Sequence, residues 1–382
     1  MKTLLFVVNV DWFFKSHRLP IAVEAIKQGY DVHLACLNTG LFPELTKLGI
    51  TCHNVPFSRS GVNPLNEFKC MWVLARLIKR LKPSLVHTVT IKPGLYTGLV
   101  SKFVKIPAIV FAISGLGLVF SSKSQQVKRR LVELLYRAAF SHKNKKIIFQ
   151  NPVDRETLLK VLKTPLDVAE MIKGSGVDLN EFNYVEPPTG DVKVVMAARL
   201  LKDKGVYDFV DAARSYSDSH AKMEVGFETK VEFVLVGGPD LENPTSVTPA
   251  EFESWQQSNF ITVLGSRSDV SDIFQNSHVV VLPSYYGEGL PKVLIEAAAC
   301  GRAVITTNNP GCIEAVIPNE TALIIEPKDS SALLGAICDL ALNESKRKQM
   351  GIKGREFALN TFNVKAVVQR HLTIYKMLEL EQ

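Results

Sequence analysis

The chain has 382 residues, too many for one ordinary hydrophobic core, and this length favours two domains. Hydrophobic residues make up 46% and charged residues 22%, a composition that excludes an intrinsically disordered protein. The net charge of +7 is unevenly spread, because residues 1–172 hold 25 Lys and Arg against 10 Asp and Glu, whereas residues 173–382 hold 20 against 28. A basic half attracts anionic lipid and nucleic acid alike, so charge alone does not choose between them.

The first apolar run, Leu4–Val10, is much shorter than the roughly 20 residues that a membrane-spanning helix needs. It has no small-residue cleavage site and ends at Asp11, so it predicts a buried strand rather than a signal peptide. We therefore expect a cytoplasmic location. The six cysteines are scattered without a C-x-x-C pair, which disfavours both a zinc site and a disulfide framework.

Short apolar runs alternate with stretches of helical period along the chain. The runs that predict buried strands are Leu4–Val10, Val32–Cys36, Leu85–Val89, Ala108–Ala112, Lys146–Phe149, Val192–Ala197, Val231–Val236, Val279–Leu282, Ala303–Thr306 and Ala322–Ile325. The stretches that predict helices are Arg18–Lys27, Lys69–Leu81, Val127–Phe140, Val206–Arg214, Pro291–Cys300, Ser330–Leu342 and Val364–Leu378. Because such alternation forms parallel sheets with right-handed crossovers, the chain predicts an α/β fold.

The alternation is interrupted once, at the Gly- and Pro-rich stretch Gly174–Gly190. Such a stretch predicts a hinge between one domain of residues 1–172 and another of residues 173–363. Two doubly wound sheets would bind a ligand outside the carboxyl ends of their strands.

A basic stretch in the first half, Lys123–Lys146, also carries apolar residues at helical spacing. It predicts either a helix that lies on a membrane surface or a helix that packs its apolar side on the core and solvates its basic side. The second interpretation is favoured.

Two basic side chains follow the predicted strand Val192–Ala197. Arg199 comes directly after this strand, and Lys204 precedes the next helix. We expect both at the carboxyl edge of the second sheet, where an arginine offers bidentate donors and a lysine a point charge to a diphosphate. Ordinary surface residues are the alternative, and this alternative is stronger for Lys202 than for Arg199.

A second constellation follows the strand Val279–Leu282. Pro291 is expected at the first position of the next helix, with Gly301 just past its end. Free backbone N–H groups at a loop-to-helix junction bind phosphate or sugar hydroxyls. Glu288 in the loop and Glu296 in the helix add carboxylates that accept hydrogen bonds from hydroxyls. A capped helix with a solvated glutamate is an alternative that this pair alone supports almost as well.

The ARLxxxKG stretch at Arg199 and the EGxPxxxxE stretch at Glu288 together resemble the family-four retaining glycosyltransferases of the GT-B fold. The resemblance covers nearly the whole chain. The segments His87–Pro93, Ile113–Gly117 and Asn243–Ser246 are similar to enzymes of bacterial surface-polysaccharide and lipid-linked oligosaccharide assembly, such as the undecaprenyl-diphosphate-bacillosamine N-acetylgalactosaminyltransferases. The resemblance implies two Rossmann-like, doubly wound parallel-sheet domains that face each other across a cleft, with residues 364–382 packed back on the first domain.

The resemblance also implies roles in donor binding. Arg199 and Lys204 are expected to hold the donor diphosphate, and Glu288 the donor hexose. The remaining donor-side residues are Gly237, Pro239, Arg267, Gly289, Leu290, Pro291 and Glu296, of which Glu296 is expected at the ribose and Arg267 near the base. No Asp-x-Asp spacing occurs, so we expect fixed charges rather than a metal ion or another cofactor to stabilise the leaving diphosphate.

The acceptor is expected on the basic first half, as a polyprenyl-diphosphate-linked glycan at an anionic membrane surface. The residues predicted on this side are His17, Arg18, His87, Lys92 and Ser114. Ser114 stands where many relatives carry a histidine, which places a histidine-assisted step in doubt and leaves His17 or His87 as substitutes. The aromatic segment Asn9–Arg18 is interpreted as a loop lining this side, with a buried aromatic cluster as an equal alternative.

The sequence therefore predicts a retaining transferase that moves a hexose or N-acetylhexosamine from a nucleotide sugar, by resemblance a UDP sugar, to a lipid-linked glycan at the inner face of the cytoplasmic membrane. The alternatives are a GT-B sugar-nucleotide epimerase and a basic membrane- or nucleic-acid-binding protein without catalysis. Nucleic acid is disfavoured because aromatic-interleaved strands are missing. A dinucleotide-binding oxidoreductase is disfavoured because no G-x-G-x-x-G follows the first strand.

Overall fold

Two parallel sheets organise the chain, one in each of two structural units. The computed structural model describes residues 2–58, 63–116, 126–222, 230–285 and 287–381, without the side chains of residues 126–129, 131 and 220–222. One unit comprises Met1–Ser175 and Val364–Gln382, and the other comprises Gly176–Asn363. Among the described residues, no helix combines the length and the apolar composition needed to cross a bilayer.

The first unit is built on a seven-stranded sheet in the order β3-β2-β1-β4-β5-β6-β7. Its strands are β1 (Lys2–Val10), β2 (Tyr30–Leu37), β3 (Thr51–Asn54), β4 (Leu85–Val89), β5 (Ile109–Ala112), β6 (Lys145–Phe149) and β7 (Ala169–Met171). Every neighbouring pair is parallel. All residues of β4 and β5 are buried, because helices cover both faces of the sheet.

Helices connect these strands. They are α1 (Asp11–His17), α2 (Leu19–Lys27), α3 (Phe42–Lys47), α4 (Pro64–Leu81), α5 (Ile91–Val100), α6 (Gln126–Ala139), α7 (Pro152–Leu162) and, from the end of the chain, α15 (Val364–Leu380). The helix α15 packs against α2 and β6. It buries Leu372, Tyr375 and Leu378 in the core on that face of the sheet, whereas α4 to α7 contribute to the core on the other face.

The segment Asn9–Arg18 is not a loop, and the sequence prediction is wrong here. It forms α1, which is anchored by the buried carboxylate of Asp11. This carboxylate accepts hydrogen bonds from the backbone N–H groups of Thr39 at 2.7 Å and Leu41 at 3.1 Å. The helix has seven residues, which is too short for a helical period to be recognised in the sequence.

The helix α6 does not turn all of its apolar residues to the core, contrary to the favoured prediction. Leu134 is 58% exposed and Leu135 is 44% exposed, whereas Ala139 is fully buried. The other apolar residues at helical spacing in Lys123–Lys146 are Val127, Leu131 and Ala138, of which Ala138 is exposed and Val127 and Leu131 have side chains outside the described set. The outer surface of α6 is therefore partly apolar.

The second unit is built on a six-stranded parallel sheet in the order β10-β9-β8-β11-β12-β13. Its strands are β8 (Val192–Ala197), β9 (Val231–Val236), β10 (Thr262–Gly265), β11 (Val279–Leu282), β12 (Ala303–Thr307) and β13 (Ala322–Ile325). Its helices are α8 (Val206–Lys222), α9 (Pro249–Gln256), α10 (Val270–Gln275), α11 (Lys292–Ala299), α12 (Pro310–Ile313), α13 (Ser330–Leu342) and α14 (Glu344–Thr361).

Most of the predicted hinge Gly174–Gly190 belongs to this second unit. Val177 donates a backbone hydrogen bond to Phe362 at 2.8 Å, and Val177 and Phe182 are buried core residues. Only the start of the stretch lies at the boundary between the units, since the second unit begins at Gly176.

Candidate active site

The second sheet has one point where the strand order reverses. From β8 the chain continues to β9 and β10 on one side, and then returns to place β11 on the other side of β8. A reversal of strand order of this kind leaves a crevice outside the carboxyl ends of the two strands, here β8 and β11. Open α/β sheets bind their ligands at such a switch point.

An ion pair joins the two loops at this crevice. The ammonium of Lys204, in the loop after β8, contacts the Oε1 atom of Glu288, in the loop after β11. The hydroxyl of Ser284 donates a second hydrogen bond to the same Oε1 atom at 3.0 Å. The side chains of Lys204 and Glu288 are only 17% and 12% exposed. Because water screens them weakly, this cation and this carboxylate interact more strongly than a surface pair.

Backbone contacts fix the distance between these two loops. The N–H of Tyr285 donates to the carbonyl of Asp203 at 3.0 Å. Gly205 has φ +77°, and a Cβ atom at this position would lie 2.3 Å from the carbonyl oxygen of Pro283. Only glycine allows this approach, so Gly205 holds the loop of Lys204 against the loop of Glu288.

The loop of Glu288 is also supported from below by α12. A Cβ atom on Gly311 would lie 2.4 Å from the carbonyl oxygen of Glu288 and 2.7 Å from that of Gly289. The sequence analysis did not assign Gly311 to the site. The segment Asn309-Pro310-Gly311 carries a turn signature after a strand, but this signature does not show which loop the turn contacts.

Arg199 lies on the other side of the loop after β8. Its Nη1 atom donates to the Oδ2 atom of Asp240 at 2.9 Å, and its side chain is 43% exposed. Asp240 follows Gly237, whose φ is +136° and where a Cβ atom would lie 1.9 Å from the carbonyl oxygen of Ala198. The structure thus pairs Lys204 and Arg199 with different carboxylates, and the sequence analysis missed Asp240.

The helix α11 starts one residue later than the sequence predicts. Pro291 has φ −65° and ψ 119° and occupies the N-cap position, because its extended ψ precedes the helical residues that begin at Lys292. At the other end the sequence prediction is confirmed, since Gly301 has φ +72° and donates to the carbonyl of Ala298.

Glu296 and Leu290 are both 8% exposed. Glu296 accepts a salt bridge from the Lys292 ammonium at 2.9 Å, one helical turn before it. Arg267 lies after β10, and its guanidinium contacts Asp269 through its Nε atom at 2.8 Å. This contact lowers the pKa of the Asp269 carboxyl. Pro239, between Gly238 and Asp240, belongs to the loop after β9.

The first sheet has its own switch point, between β1 and β4. The amide of Asn9, near the end of β1, donates to the Oγ1 atom of Thr90, directly after β4, at 3.0 Å. Thr90 has φ +71°, which is uncommon for a β-branched residue. The sequence analysis included Asn9 and Thr90 only within the segments Asn9–Arg18 and His87–Pro93, and it assigned neither of them a role of its own.

Two of the residues predicted to face the acceptor, His87 and Arg18, are buried in the first unit, so the prediction for these two is wrong. His87 is 0% and Arg18 1% exposed. The imidazole of His87 contacts the hydroxyl of Tyr375 and stacks on His371 at 5.5 Å. Burial, followed by the nearby His371 and Arg18, lowers the pKa of His87 well below its ordinary value. The sequence around His87 does not show this burial, because α15, which covers His87, lies almost 300 residues further along the chain.

This cluster predicts loss of stability in acid. Burial, and then Arg18, lowers the pKa of His371 to about 3. Because the native imidazoles are neutral, their contribution is complete above the unfolded pKa of about 6.5 and is lost as the pH falls below it. We expect the neutral His371 to lower the free energy of unfolding by about 2 kcal/mol at pH 5, and His87 to change it in the same direction. Thermal unfolding of the full chain between pH 7.5 and 5 measures this loss of stability, because the range spans the ordinary histidine pKa of about 6.5.

The variant His371→Gln should reduce the acid dependence, whereas His142→Gln, a matched loss of a histidine from the first unit, should retain it. Parallel pH curves for wild type and His371→Gln would contradict this interpretation of the cluster.

The other three acceptor-side residues are less buried. The Lys92 ammonium contacts Glu67 at 2.7 Å and the carbonyl of Ser58 at 3.0 Å. His17 stacks on the ring of Phe13 at 4.1 Å. Ser114 follows β5, and its hydroxyl has no hydrogen-bond partner among the residues that the structure describes. Among all residues that the structure describes, no group of three or more His, Cys, Asp and Glu side chains is arranged to hold a metal ion.

Two family descriptions match the chain, one for each unit. Residues 3–151 match the "Glycosyl transferase 4-like" family, and residues 179–357 match "Glycosyl transferases group 1". The N,N'-diacetylbacillosaminyl-diphospho-undecaprenol alpha-1,3-N-acetylgalactosaminyltransferase of Campylobacter jejuni is 29% identical over 94% of both chains. The UDP-Gal:alpha-D-GlcNAc-diphosphoundecaprenol alpha-1,3-galactosyltransferase of Escherichia coli is 24% identical over 91% of this chain and 89% of its own.

Among solved structures, the sucrose-phosphate synthase of Thermosynechococcus elongatus covers 100% of both chains with a TM-score of 0.79 at 20% identity. Two doubly wound parallel sheets and this likeness define the GT-B class of fold. The chain belongs to the glycosyltransferases, with a glycosyl transferase 4-like region in its first unit and a group 1 region in its second. The fold class and the enzyme class predicted from the sequence are confirmed.

Proposed function

We propose that this enzyme transfers a hexose or N-acetylhexosamine from a nucleotide diphosphate sugar to a polyprenyl-diphosphate-linked glycan, with retention at the anomeric carbon. The observation that carries the proposal is the Lys204–Glu288 pair at the switch point of the second sheet. The names of the two relatives support the substrates, since both specify a diphospho-undecaprenol-linked acceptor and one specifies a UDP sugar.

The proposed donor site uses fixed charges at the strand tips. Lys204 and Arg199 bind the diphosphate and stabilise the negative charge that develops as the anomeric C–O bond breaks. Glu288 then accepts hydrogen bonds from the sugar hydroxyls. The backbone N–H groups of Gly289 and Leu290, which directly precede the N-cap Pro291 of α11, add donors to this site.

The outer part of the donor site binds the nucleoside in this proposal. Glu296 accepts from the ribose, and the loops after β9 and β10, with Gly237, Pro239 and Arg267, contact the nucleotide, preferably uridine diphosphate. No metal ion or other cofactor takes part, because Lys204 and Arg199 supply the positive charge that the departing diphosphate needs.

In the proposed reaction, the sugar is transferred in a single step. The acceptor hydroxyl bonds to the anomeric carbon from the face that the diphosphate leaves, and its proton passes to the departing phosphate oxygen. This route needs no buried histidine, which agrees with the burial of His87. Ser114, His17 and Lys92 are the residues that we assign to the acceptor side of the first unit.

The acceptor's lipid places the enzyme at the inner face of the cytoplasmic membrane in this proposal. The excess of Lys and Arg over Asp and Glu in residues 1–172 supports an anionic bilayer as the surface that the enzyme binds. The relatives give no support to a nucleic-acid partner or to the epimerase and binding-protein alternatives.

A thermal-shift screen against UDP, GDP and ADP sugars tests the donor. A ligand at 100 times its Kd stabilises the native state by about 2.7 kcal/mol, so the matching nucleotide should raise the Tm by several degrees. Incubation of this sugar nucleotide with the enzyme, with and without a polyprenyl-diphosphate-linked glycan, then tests the reaction. Conversion of the sugar nucleotide to an epimer without acceptor would refute the transferase proposal, as would the lack of a shift with every nucleotide sugar.

A further inference from the structure

The helix α4 carries a second apolar surface on its outer side. Leu65 is 80% exposed, Phe68 is 66% exposed and Trp72 is 51% exposed. Because they are spaced by three and four residues, these side chains share one face of the helix. The core contacts of α4 are made by its opposite face, which buries Cys70, Leu74, Leu77 and Ile78. We call Leu65, Phe68 and Trp72 the outer apolar stripe.

Basic side chains continue the same outer face toward the end of α4. They are Lys69, Arg76, Lys79 and Arg80, all of which are exposed. The guanidinium of Arg76 lies 4.6 Å from the centre of the Trp72 ring. The single acidic residue of α4 does not reduce this positive charge, because Glu67 points inward and binds Lys92 and Tyr96.

The contact between Glu67 and Lys92 also fixes where the stripe lies. Lys92 is in the first turn of α5, directly after the carboxyl end of β4. The first turn of α4 therefore lies at the carboxyl edge of the first sheet. This is the edge that carries the Asn9–Thr90 hydrogen bond, where the sheet reverses its strand order.

The helix α6 lies on the other side of α5 and also exposes apolar side chains. Both α4 and α6 pack against α5. On its outer side, α6 exposes the apolar side chains of Leu134 and Leu135 together with Arg130. Large apolar side chains that stand beside Lys and Arg are typical of helices that lie in the interface of an anionic bilayer.

We propose that the outer face of α4, with the exposed part of α6, inserts into the surface of an anionic lipid bilayer. Phe68, Trp72 and Leu65 enter the boundary between headgroups and acyl chains, while the basic residues of α4 contact lipid phosphates. The position of the stripe brings the carboxyl edge of the first sheet to the level of the headgroups. This inference rests on the proposed function, because it explains how a lipid-linked diphosphate reaches that edge without leaving the membrane.

Vesicle flotation with the full chain tests the surface. Wild type should float with phosphatidylglycerol-containing vesicles and much less with pure phosphatidylcholine. The double variant Phe68→Ser/Trp72→Gln should lose about tenfold or more in vesicle affinity, since burial of large apolar side chains in the interface drives the binding of such a helix. The variant Arg76→Gln/Lys79→Gln should lose affinity for the anionic vesicles alone, and higher salt should reproduce this loss.

The variant Phe103→Ser is a matched control. Phe103 is 90% exposed but follows the far end of α5, away from the first turn of α4, so its loss should leave flotation unchanged. Equal flotation of wild type and Phe68→Ser/Trp72→Gln would overturn the proposal, and so would equal binding to neutral and anionic vesicles. The oligomeric state of both proteins is measured without vesicles. A dimeric wild type and a monomeric Phe68→Ser/Trp72→Gln variant would overturn the proposal and identify the stripe as a contact between two copies.

Transfer to a water-soluble acceptor, in which the glycan is linked to a short-chain polyprenyl diphosphate, separates this inference from the proposed function. Phe68→Ser/Trp72→Gln should retain wild-type turnover with this acceptor and lose turnover only when the acceptor is embedded in vesicles. Failure of the wild type on both acceptors refutes the proposed function. Equal turnover of wild type and variant on the embedded acceptor refutes the surface alone.

Discussion

Replacement of Lys204 by alanine is expected to lower kcat by about 10²–10³-fold, as does the loss of one preorganised donor from other active sites. The ammonium is held at the switch point by Glu288, with little exposure to water. In the proposed reaction it meets the charge that appears on the diphosphate as the sugar leaves, so its removal destabilises the transition state more than bound substrate. Arg199→Ala should have a similar effect, and kcat and KM from initial rates measure both.

Lys202→Ala is the matched control for this prediction. Lys202 is exposed on the same loop, two residues before Lys204, and its substitution should leave kcat within about twofold, as is usual for surface changes. Lys204→Ala also strands the carboxylate of Glu288, which carries its own cost. The pair Lys204→Met/Glu288→Gln removes that uncompensated charge. If it restored activity, or if Lys204→Ala and Arg199→Ala both kept near-normal rates, the proposed diphosphate site would be refuted.

The strands that sequence analysis missed are those that lie at sheet edges. β3 and β7 are the two edge strands of the first sheet, and β10 is an edge strand of the second. None of the three has a fully buried residue run, since edge strands have one side in solvent. The central strands are buried on both faces and therefore form the continuous apolar runs from which they were predicted.

The loops that carry the candidate site were predictable, because residues that follow parallel strands must meet at one edge of the sheet. Their partners were not. The contact between Lys204 and Glu288 depends on β8 lying next to β11, and strand order is absent from any local pattern. Asp240 escaped detection for the same reason, since its contact with Arg199 requires β9 on the other side of β8.

The prediction that His87 lies on the acceptor side failed for a different reason. A histidine in the apolar strand β4 has the same sequence signature whether it faces a ligand or a helix. The deciding contact comes from Tyr375 in α15, at the other end of the chain. The exposed residues Leu134 and Leu135 show the same limit, because helical spacing marks an apolar stripe but does not show what covers it.

Substitution of Gly311 by alanine is expected to lower kcat by about 10²-fold with little change in donor KM, because a displacement of about 1 Å at a reacting group is enough for such a loss. The new methyl group would overlap the carbonyl oxygens of Glu288 and Gly289, at 2.4 and 2.7 Å. Both contacts are to backbone, so a side-chain rotation cannot relieve them. The loop must move, and with it the Glu288 carboxylate that Ser284 and Lys204 hold in place.

Gly335→Ala is the matched control, because Gly335 lies in α13 and a Cβ atom there meets no other atom within 4 Å. This change should leave kcat unaltered and stabilise the enzyme by up to about 1 kcal/mol, the difference in helix propensity between alanine and glycine. Thermal unfolding of both variants shows whether the loss at Gly311 is local. Wild-type kcat in a folded Gly311→Ala enzyme would mean that the position of Glu288 does not limit the reaction, and the role proposed for its carboxylate would have to be abandoned.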